Sequence, residues 1–464
     1  MTEPPTTRPL LGLTPGPDTD GRDRSRDQVR LARAALTRLV EPGDETALAV
    51  IARLGPEHAL ALLTGRCRPT REEEAALAEA SGSPDGWRRR FSAGLRRWAP
   101  RAAELSPERD LVTMHRLGGG LLIPEDAAWP GCLDDLGHRR PVALWTRGTA
   151  VLPDHSHTLA VVGSREATAY GRAVTGRLVA PIAADGVTVL SGGAYGIDGH
   201  AHRVALEAGQ GTPPTVAVLA GGLDRFYPAG HEDLLRAVME RGLLLSEMPP
   251  GASPTRHRFL YRNRLIAALS AGVLVVEARW RSGAQNTASH ALGLGRELGV
   301  VPGPITSPSS AGCHRLLLET PARLVADVGD VRGLLRSGDD PRPTRDPASP
   351  QGSASRRDPA SSRGSAAPPG PGGRALRAGD GPRAGGEDGD ARPEDGLSEQ
   401  ELLVFDALPV RSHATLDRLA VAAGMPVPSL VAVLRRFARQ GLAEERDRRW
   451  RRGPRAAARR APAD

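Results

Sequence analysis

Residues 157–198 read HTLAVVGSREATAYGRAVTGRLVAPIAADGVTVLSGGAYGID, and this stretch decides the fold class. Two apolar runs, Leu159–Gly163 and Thr188–Ser191, each lead into a turn that contains glycine. The residues between them, from Tyr170 to Ala184, have the spacing of a helix. Apolar strands that alternate with helices are typical of a parallel sheet covered on both faces. The stretch therefore predicts a strand–helix–strand unit, with a second helix beginning at Ile197.

The same alternation continues toward the C-terminus. Four further apolar runs are predicted strands: Val216–Ala220, Leu243–Ser246, Val273–Glu277 and Gly299–Val301. The segments around them are predicted helices: Ile197–Glu207, Glu232–Arg241, Arg262–Ser270 and Ala284–Leu298. This repeat predicts an α/β fold for residues 107–335, with a Rossmann-like, doubly wound, mostly parallel sheet. Such sheets bind ligands beyond the carboxyl ends of their strands.

The region before the sheet has a different pattern. Residues 1–26 are rich in proline, threonine, aspartate and arginine, which predicts disorder. We expect residues 27–106 to form a small helical domain of the SAM or helix–hairpin–helix type. Residues 129–148 are expected to form an extended lead-in to the sheet. The helical domain should contain three segments with helical spacing: Gln28–Val40, Glu45–Arg53 and Pro56–Leu63.

The region after the sheet is expected to hold a second small domain on a tether. Residues 336–396 are dominated by proline, glycine, serine, arginine and aspartate, which predicts a disordered, flexible linker. Residues 397–452 then suggest three helices followed by a hairpin. This order predicts a winged-helix-like domain, a shape that binds either DNA or protein. Residues 453–464 are predicted to be a basic, disordered tail.

The charge of the chain is unevenly distributed. The 464 residues carry a formal net charge of +8, and the sequence pI is about 10.4. Eight arginines and two aspartates lie between Arg446 and Asp464, so this tail supplies +6 of the total. The rest of the chain is nearly balanced, and its net charge alone is weak evidence for a nucleic-acid partner.

The cysteines and the N-terminal sequence indicate the cellular compartment. The three cysteines, Cys67, Cys132 and Cys313, are far apart and form no Cys-x-x-Cys pair, so neither a disulfide framework nor a zinc site is expected. The N-terminus lacks the apolar core of a signal peptide, and no run reaches the length of a membrane span. We expect a cytoplasmic protein that does not bind membranes.

A basic and aromatic segment, PTRHRFLYRNRLIAA at residues 254–268, is the strongest functional signal. Four arginines, one histidine and two aromatic residues occupy its first eleven positions, without an acidic residue. Guanidinium groups bind phosphates through paired N–H donors, and aromatic rings stack on unpaired bases. The segment is consistent with a single-stranded nucleic-acid groove or, equally, with an ordinary basic loop that runs into a helix.

The two glycine-rich turns strengthen the first interpretation. Glycine lets the backbone approach a ligand, and a helix N-terminus offers N–H groups to an anion. Arg165 would add a positive charge beside them, and Asp198 is expected to cap or orient the second turn. The alternative is that these glycines only make tight connections. The candidate DNA-binding residues are Gly163, Ser164, Arg165, Ser191, Gly192, Gly193, Tyr195, Gly196, Arg256, Arg258, Phe259, Arg262, Asn263, Arg264, Arg281, Ser282 and Gly283.

Motifs for catalysis are missing from the sequence. No Gly-x-x-x-x-Gly-Lys-Ser/Thr loop for ATP occurs, and no Gly-x-Gly-x-x-Gly fingerprint follows the first predicted strand. The histidines do not share metal-ligand spacing with nearby acids, and no nucleophile–base pair stands out. We expect a binding protein that has no catalytic residues, no metal and no cofactor.

A series of motifs resembles the DNA-processing protein A (DprA/Smf) family. The similarity covers residues 111 to about 330, and WPGCLDDLGHRRPVALWTRG at 129–148 resembles the family's entry segment. The motifs that follow in order are VVGSR, SGGAYGID, AVLAGGLDRFYP, LLSEMPPG, RFLYRNRLIAALS, VVEARWRSGAQNT and VVPG.

The resemblance implies a function. Members of this family bind single-stranded DNA through a Rossmann-like domain, protect it, and load RecA recombinase onto it during natural transformation. The family also implies homodimers and, in many members, a C-terminal winged-helix-like domain. Residues that match the family's DNA-contacting motifs are Arg165, the loop 192–196, Phe259, Arg262, Asn263 and Arg264.

Two departures from the family motifs stand out. Tyr195 occupies a position where the family usually has lysine or arginine, and Leu260-Tyr261 replaces a pair that contains proline. The first departure removes a charge but offers a ring for stacking, and the second affects the shape of the segment. A rival interpretation is a nucleotide hydrolase of the phosphoribohydrolase type, although the PGGxGTxxE turn of such enzymes is absent.

Overall fold

The fold is that of a computed structural model. It describes residues 22–80, 84–211, 213–280 and 282–336, and then 397, 401, 404–405, 407–409, 413–423, 427–447 and 449–454. Three segments were predicted to be disordered: 1–26, 336–396 and 453–464. Residues 1–21, 337–396 and 455–464 of these segments lie outside the described residues. The predicted N-terminal disorder ends too late, because a helix already begins at Arg22. Arg26 and Arg30 on this helix form ion pairs with Asp126, at 3.2 and 2.7 Å, which tie it to the main body.

Five helices form the N-terminal unit and share a core that contains Leu36, Trp87 and Trp98. Asp44 caps the second helix by accepting a hydrogen bond from the Ala47 N–H, and Gly55 separates the second helix from the third. The helices are α1 (Arg22–Leu39), α2 (Glu45–Leu54), α3 (Pro56–Leu63), α4 (Arg71–Ala80) and α5 (Pro84–Ala102).

A nine-stranded sheet forms the centre of the protein, in the order β1-β2-β6-β5-β4-β3-β7-β8-β9. Strands β3 to β9 are parallel, whereas β1 and β2 add an antiparallel edge beside β6. The prediction of a mostly parallel α/β sheet is confirmed. The strands are β1 (Gly119–Leu122), β2 (Leu144–Gly148), β3 (Thr158–Val162), β4 (Thr188–Ser191), β5 (Thr215–Leu219), β6 (Leu243–Ser246), β7 (Gly272–Val275), β8 (Glu297–Val300) and β9 (Arg323–Leu324).

Helices cover both faces of this sheet. Alternate residues of a strand point to opposite faces. Ala160 of β3 therefore packs in the core beneath α10 and α11, whereas Val161 packs beneath α7 and α8. The helices are α6 (Pro107–Arg116), α7 (Ala169–Ala184), α8 (Ile197–Ala208), α9 (Glu232–Arg241), α10 (Arg256–Ala268), α11 (Gly283–Gly293), α12 (Ala311–Glu319) and α13 (Val328–Leu335).

The winding of the chain determines where a ligand could bind. From β3 the chain proceeds outward to β6 and then returns to place β7 on the other side of β3. Loops that follow neighbouring strands diverge at such a reversal and leave a crevice at the carboxyl edge of the sheet. The loops after β3, β4 and β5 and the first turn of α10 lie at this edge.

Three predicted boundaries are wrong. Helix α10 begins at Arg256 rather than Arg262, because Thr255 caps it by accepting the Arg258 N–H and no proline interrupts the turn that follows. Helix α11 ends at Gly293, since Gly295 adopts a left-handed backbone, and β8 begins at Glu297. Within residues 129–148, expected to be extended, Gly131–Arg139 forms 3-10 turns that kink at Gly137, and the described strand is β2.

The C-terminal region has the predicted order of helices and hairpin where it is described. It contains β10 (Ala414–Thr415), α14 (Leu416–Ala423), α15 (Val427–Arg439), β11 (Ala443–Arg446) and β12 (Arg449–Arg452). The strands form an antiparallel sheet in the order β10-β12-β11. The first predicted helix, 397–408, falls partly outside the described residues. Whether this domain binds DNA or protein stays a prediction.

A buried ion pair joins α10 to the end of β6. Both guanidinium Nη atoms of Arg264 lie 2.6 Å from the carboxylate oxygens of Glu247, and its Nε–H donates to the Arg139 carbonyl at 3.0 Å. Arg264 is 1% exposed. Removing one partner of such a pair leaves a buried charge that is neither solvated nor compensated.

We expect Arg264→Ala to lower the free energy of unfolding by roughly 3–5 kcal/mol, because Glu247 would keep an uncompensated buried charge. Urea denaturation of the full chain measures this change. Arg140→Ala is the matched control: it breaks the exposed 2.8 Å pair with Asp134, and such pairs contribute only about 0–1 kcal/mol. Equal, small losses in both variants would show that the Arg264 pair does not stabilise the fold.

Candidate nucleic-acid interface

The two glycine-rich turns pack directly on each other. A side chain at Gly163 would lie 2.6 Å from the Ile197 side chain. Gly196 has a φ of +79°, and a Cβ there would lie 2.1 Å from the Ser164 carbonyl oxygen. The Ile197 N–H donates to the same carbonyl at 3.1 Å. Glycine is therefore required for close backbone packing at these positions.

The loop after β4 lies on a buried guanidinium group. A Cβ at Gly192 would lie 2.2 Å from the Arg262 Nη1 atom, and that same nitrogen donates to the Val218 carbonyl of β5. Burial lowers the pKa of Arg262 to about 10, an effect that Asp198 opposes. Arg262 therefore supports the loop from below and presents little of its charge to solvent.

Asp198 orients the loop from the other side, as predicted. Its carboxylate accepts the Gly192 N–H at 3.2 Å and also interacts with the Ala194 N–H. Burial raises the pKa of Asp198, and the positive charges of Arg262 and Arg165 counteract this rise. The expected row of free N–H groups at the start of α8 is thus partly occupied by the protein's own acceptors.

An arginine and a phenylalanine form the exposed part of this edge. Arg165, which follows β3, is exposed, and its Cζ lies 4.9 Å from the centre of the Phe259 ring. Phe259 is half-buried in the first turns of α10. Arg262 approaches the same ring to 5.8 Å. The ring therefore lies within cation–π distance of two guanidinium groups.

Two tyrosines extend the aromatic surface. Tyr227, from the loop after β5, is 43% exposed, and its ring centre lies 5.8 Å from that of Phe259. Tyr195, from the loop after β4, is 46% exposed and packs edge-on against His231 at 4.7 Å. Its hydroxyl accepts the Gly230 N–H at 3.2 Å, which fixes the direction of the ring.

Two arginines of the basic segment are neutralised inside the protein. Arg258 donates from Nε and Nη2 to the carboxylate of Glu41 at 2.9 and 2.6 Å. Arg264 is paired with Glu247, as described above. Because these guanidinium groups are already matched by carboxylates, they are poorly placed to bind phosphate. Arg256 is half-buried at the start of α10.

The remaining predicted residues lie around this centre. Asn263 is buried, and its Nδ2 donates to the Gly283 carbonyl at 3.3 Å and to Asn286 at 3.1 Å. Ser282 precedes α11 without capping it, and its Oγ atom has no hydrogen-bond partner in the part of the chain that the structure describes. Ser191 donates to the Val161 carbonyl inside the sheet. Arg281 lies outside the described residues.

Two residues at this edge of the sheet were not among those predicted from the sequence. Tyr227 and His231 belong to the loop after β5, which carried no predicted site residue. His231 donates from Nδ1 to the Gly193 carbonyl at 3.1 Å and so supports the glycine loop. The available signal was an aromatic residue just after a strand in a chain with only 3% aromatic residues.

The described residues offer neither a metal-ligand cluster nor a membrane-spanning helix. Within the described residues, no group of three histidine, cysteine, aspartate or glutamate side chains is placed to hold a metal ion. Among the helices described, none has both the length and the apolar character needed to cross a bilayer. The charged side chains at the carboxyl edge include Arg165, Glu166 and the buried Asp198, and the exposed rings of Tyr195 and Tyr227 lie at the same edge.

Comparisons with known proteins point to one family. The family model of DNA recombination-mediator protein A matches residues 120–336. DNA processing protein DprA of Mycobacterium tuberculosis is 41% identical over 374 residues, covering 77% of this chain and 82% of that protein. Protein Smf of Escherichia coli is 43% identical over 220 residues, covering 47% and 57%. Among solved structures, DNA processing protein A from Helicobacter pylori aligns with a TM-score of 0.42 and 29% identity, over 46% of this chain and 95% of that one. That structure is described as giving insight into the single-stranded DNA binding mode of the Helicobacter pylori protein.

The contact between Gly192 and Arg262 can be tested by adding one methyl group. We expect Gly192→Ala to destabilise the protein by about 1–3 kcal/mol, because the new Cβ would displace a buried guanidinium group. Thermal melting and urea denaturation measure this loss. Gly293→Ala is the control, since a Cβ there meets no atom within 4 Å. A Gly192→Ala protein as stable as the control would mean that the loop does not rest on Arg262.

Proposed function

The chain belongs to the DNA processing protein A (DprA/Smf) family, and on that premise we propose that it binds single-stranded DNA as a recombination mediator. One observation carries the proposal. Rings from three separate segments, Tyr195, Tyr227 and Phe259, gather with the exposed Arg165 at the carboxyl edge of the sheet. An unpaired strand offers base faces for the rings and phosphates for the guanidinium group.

The arrangement favours single strands over duplexes. Bases inside a duplex are stacked on their neighbours and do not expose their faces to protein rings, whereas unpaired bases do. Each base that stacks on an aromatic side chain contributes about 1–3 kcal/mol, independently of its sequence. A protein that handles DNA of any sequence needs this kind of contact, and we propose that Phe259 and Tyr227 provide it.

The rival hydrolase interpretation gains no support from the site. A nucleotide phosphate would need space and free N–H groups beneath the glycine loop. That space holds the Arg262 guanidinium group, and two of the loop's N–H groups face Asp198. We therefore propose a non-enzymatic role in the cytoplasm: protection of incoming single strands and loading of RecA onto them during DNA uptake. The RecA step rests on family membership.

A titration with oligo(dT) across a salt series tests the proposal. We expect the full chain to prefer oligo(dT) to duplex DNA, with an affinity that falls linearly in a log–log plot against salt. Arg165→Ala should reduce the slope by about 0.7, the value for one phosphate contact on a single strand. Phe259→Ala should lower the affinity by about 1–3 kcal/mol and leave the slope unchanged.

Two controls accompany this titration. Arg177→Ala removes an exposed arginine from α7, away from the site, and should change neither affinity nor slope. Melting curves should show that Phe259→Ala remains folded. Equal affinity for single and double strands, or an unchanged affinity in both Phe259→Ala and Arg165→Ala, would refute the proposed site.

We also propose that the protein acts as a homodimer, joined near the β9 edge of the sheet. Three apolar side chains from segments at this edge are exposed: Ile305 by 91%, Leu318 by 86% and Leu324 by 53%. Large exposed apolar side chains in neighbouring segments are typical of protein–protein contacts. Because β9 pairs with β8 at the edge of the described sheet, a second copy has a free side to approach.

Sedimentation velocity of the full chain tests the dimer. We expect wild type to sediment with twice the chain mass of 49.0 kDa, and Leu318→Lys to shift the equilibrium toward monomer by removing apolar area and adding like charges across a twofold axis. Val151→Lys, at a side chain 73% exposed before β3, should sediment as wild type does. A monomeric wild-type protein, or a dimer unaffected by Leu318→Lys, would contradict the proposed interface.

A further inference from the structure

The first turns of α10 are held by a short turn of the N-terminal helical unit. This turn, Glu41-Pro42-Gly43, connects α1 to α2, and we call it the clamp turn. Glu41 is 9% exposed and accepts two hydrogen bonds from Arg258, at 2.9 and 2.6 Å. The same carboxylate accepts a third bond, at 2.6 Å, from Arg101 of α5. One buried carboxylate thus joins α10 to the N-terminal unit.

The other two residues of the clamp turn also contact α10. The His257 Nε2 atom lies 3.3 Å from the Pro42 carbonyl oxygen, within hydrogen-bond distance. The Tyr261 ring covers Gly43 so closely that a Cβ there would lie 1.8 Å from the ring. Gly43 also has a φ of +87°, a backbone conformation that favours glycine. All three residues of the clamp turn therefore contact the first turns of α10.

Helical geometry separates the gripped face from the face toward the site. His257, Arg258 and Tyr261 lie on one side of α10, because residues three and four apart are neighbours on a helix. Successive helix residues rotate by about 100°, so Phe259 lies about half a turn from His257, whereas Arg262, four residues after Arg258, borders the gripped face. The clamp turn thus holds one face of the first turns while the other presents Phe259 to Arg165 and Tyr227.

The electrostatics support a fixed contact. The pKa of Glu41 is lowered to about 2, because the positive charges of Arg258 and Arg101 outweigh the effect of burial. The pKa of Glu41 in the folded protein lies below its ordinary value of 4.5. The contact therefore stabilises the fold above pH 4.5, and this stabilisation is lost as the pH falls toward 2. At neutral pH the carboxylate is fully charged and the contact is complete.

We propose that the clamp turn is a positioning element of the single-stranded DNA site, holding Phe259 in the orientation that accepts a base. This inference rests on the proposed function. In this proposal Glu41 and Arg258 act through Phe259, because the Arg258 guanidinium group is already paired with the Glu41 carboxylate. A ring held in place before binding loses less conformational freedom when a base stacks on it, so affinity is higher.

Two variants test the proposal in the full chain. Arg258→Met removes the grip but leaves Glu41 paired with Arg101, and Glu41→Gln removes the shared negative charge. We expect each to lower the affinity for oligo(dT) by roughly 3- to 10-fold, the effect of having to order the segment on binding. The salt slope should not change in Arg258→Met, because Arg258 contributes no phosphate contact.

Double variants distinguish positioning from a general loss of stability. Adding Arg258→Met to Phe259→Ala should lower the affinity no further, because the role of Arg258 depends on the ring. Hydrogen exchange should become faster in peptides covering residues 256–268 in both single variants. Glu125→Gln is the control, since it weakens the 2.6 Å pair with Arg33 of the same unit without touching α10. It should alter neither the exchange of α10 nor the affinity.

The outcomes distinguish failure of the clamp-turn inference from failure of the proposed function. If wild type binds oligo(dT) and both variants bind equally well, the clamp inference fails while the proposed function stands. A salt slope reduced by about 0.7 in Arg258→Met would show a direct phosphate contact and also overturn it. If wild type does not bind oligo(dT), the proposed function fails and the positioning role fails with it. Should Glu41→Gln unfold, Arg258→Met alone decides the question.

Discussion

The site depends on one constraint: the Arg262 guanidinium group contacts the backbone of β5 and of the loop after β4. Arg262 projects from α10, donates to the Val218 carbonyl of β5, and lies directly beneath Gly192 after β4. A buried cation needs acceptors and a counter-charge. Asp198 supplies the charge, and its carboxylate in turn holds the glycine loop. Helix and loops are therefore positioned as one unit, and Phe259 is placed with them.

The rest of the basic segment obeys the same requirement. Its arginines have no acidic neighbours in sequence, yet two of them find carboxylates brought in from distant parts of the chain. Glu41 comes from the N-terminal unit and pairs with Arg258, and Glu247 follows β6 and pairs with Arg264. A cluster of arginines in a sequence thus does not establish an exposed basic surface. Here part of the positive charge stabilises the junction between the helical unit and the sheet.

The pairing of arginines with distant carboxylates explains which features could be predicted from the sequence. The strands were recognisable because β3, β5 and β7 are continuous apolar runs, and the glycine turns follow them directly. The start of α10 was not, because residues 256–261 show no apolar spacing of a helix and the Thr255 cap that begins it leaves no apolar signal. Arg258 and Arg264 pair with Glu41 and Glu247, and no local sequence pattern connects these acids to the helix. Tyr227 was missed for a related reason, since only the fold brings it to Phe259.

The departure at Tyr195 fits the same balance between charge and aromatic surface. The resemblance implies that the family usually carries lysine or arginine at this position, whereas here the ring packs on His231 and its hydroxyl accepts the Gly230 N–H. A flexible cation is thereby replaced by a ring of fixed direction, about half exposed beside the glycine loop. Phosphate contacts weaken as salt rises, because binding them releases counterions, whereas stacking on a ring does not depend on counterions. We therefore expect the proposed site, in which three rings accompany Arg165, to hold single strands at ionic strengths where a purely basic groove releases them.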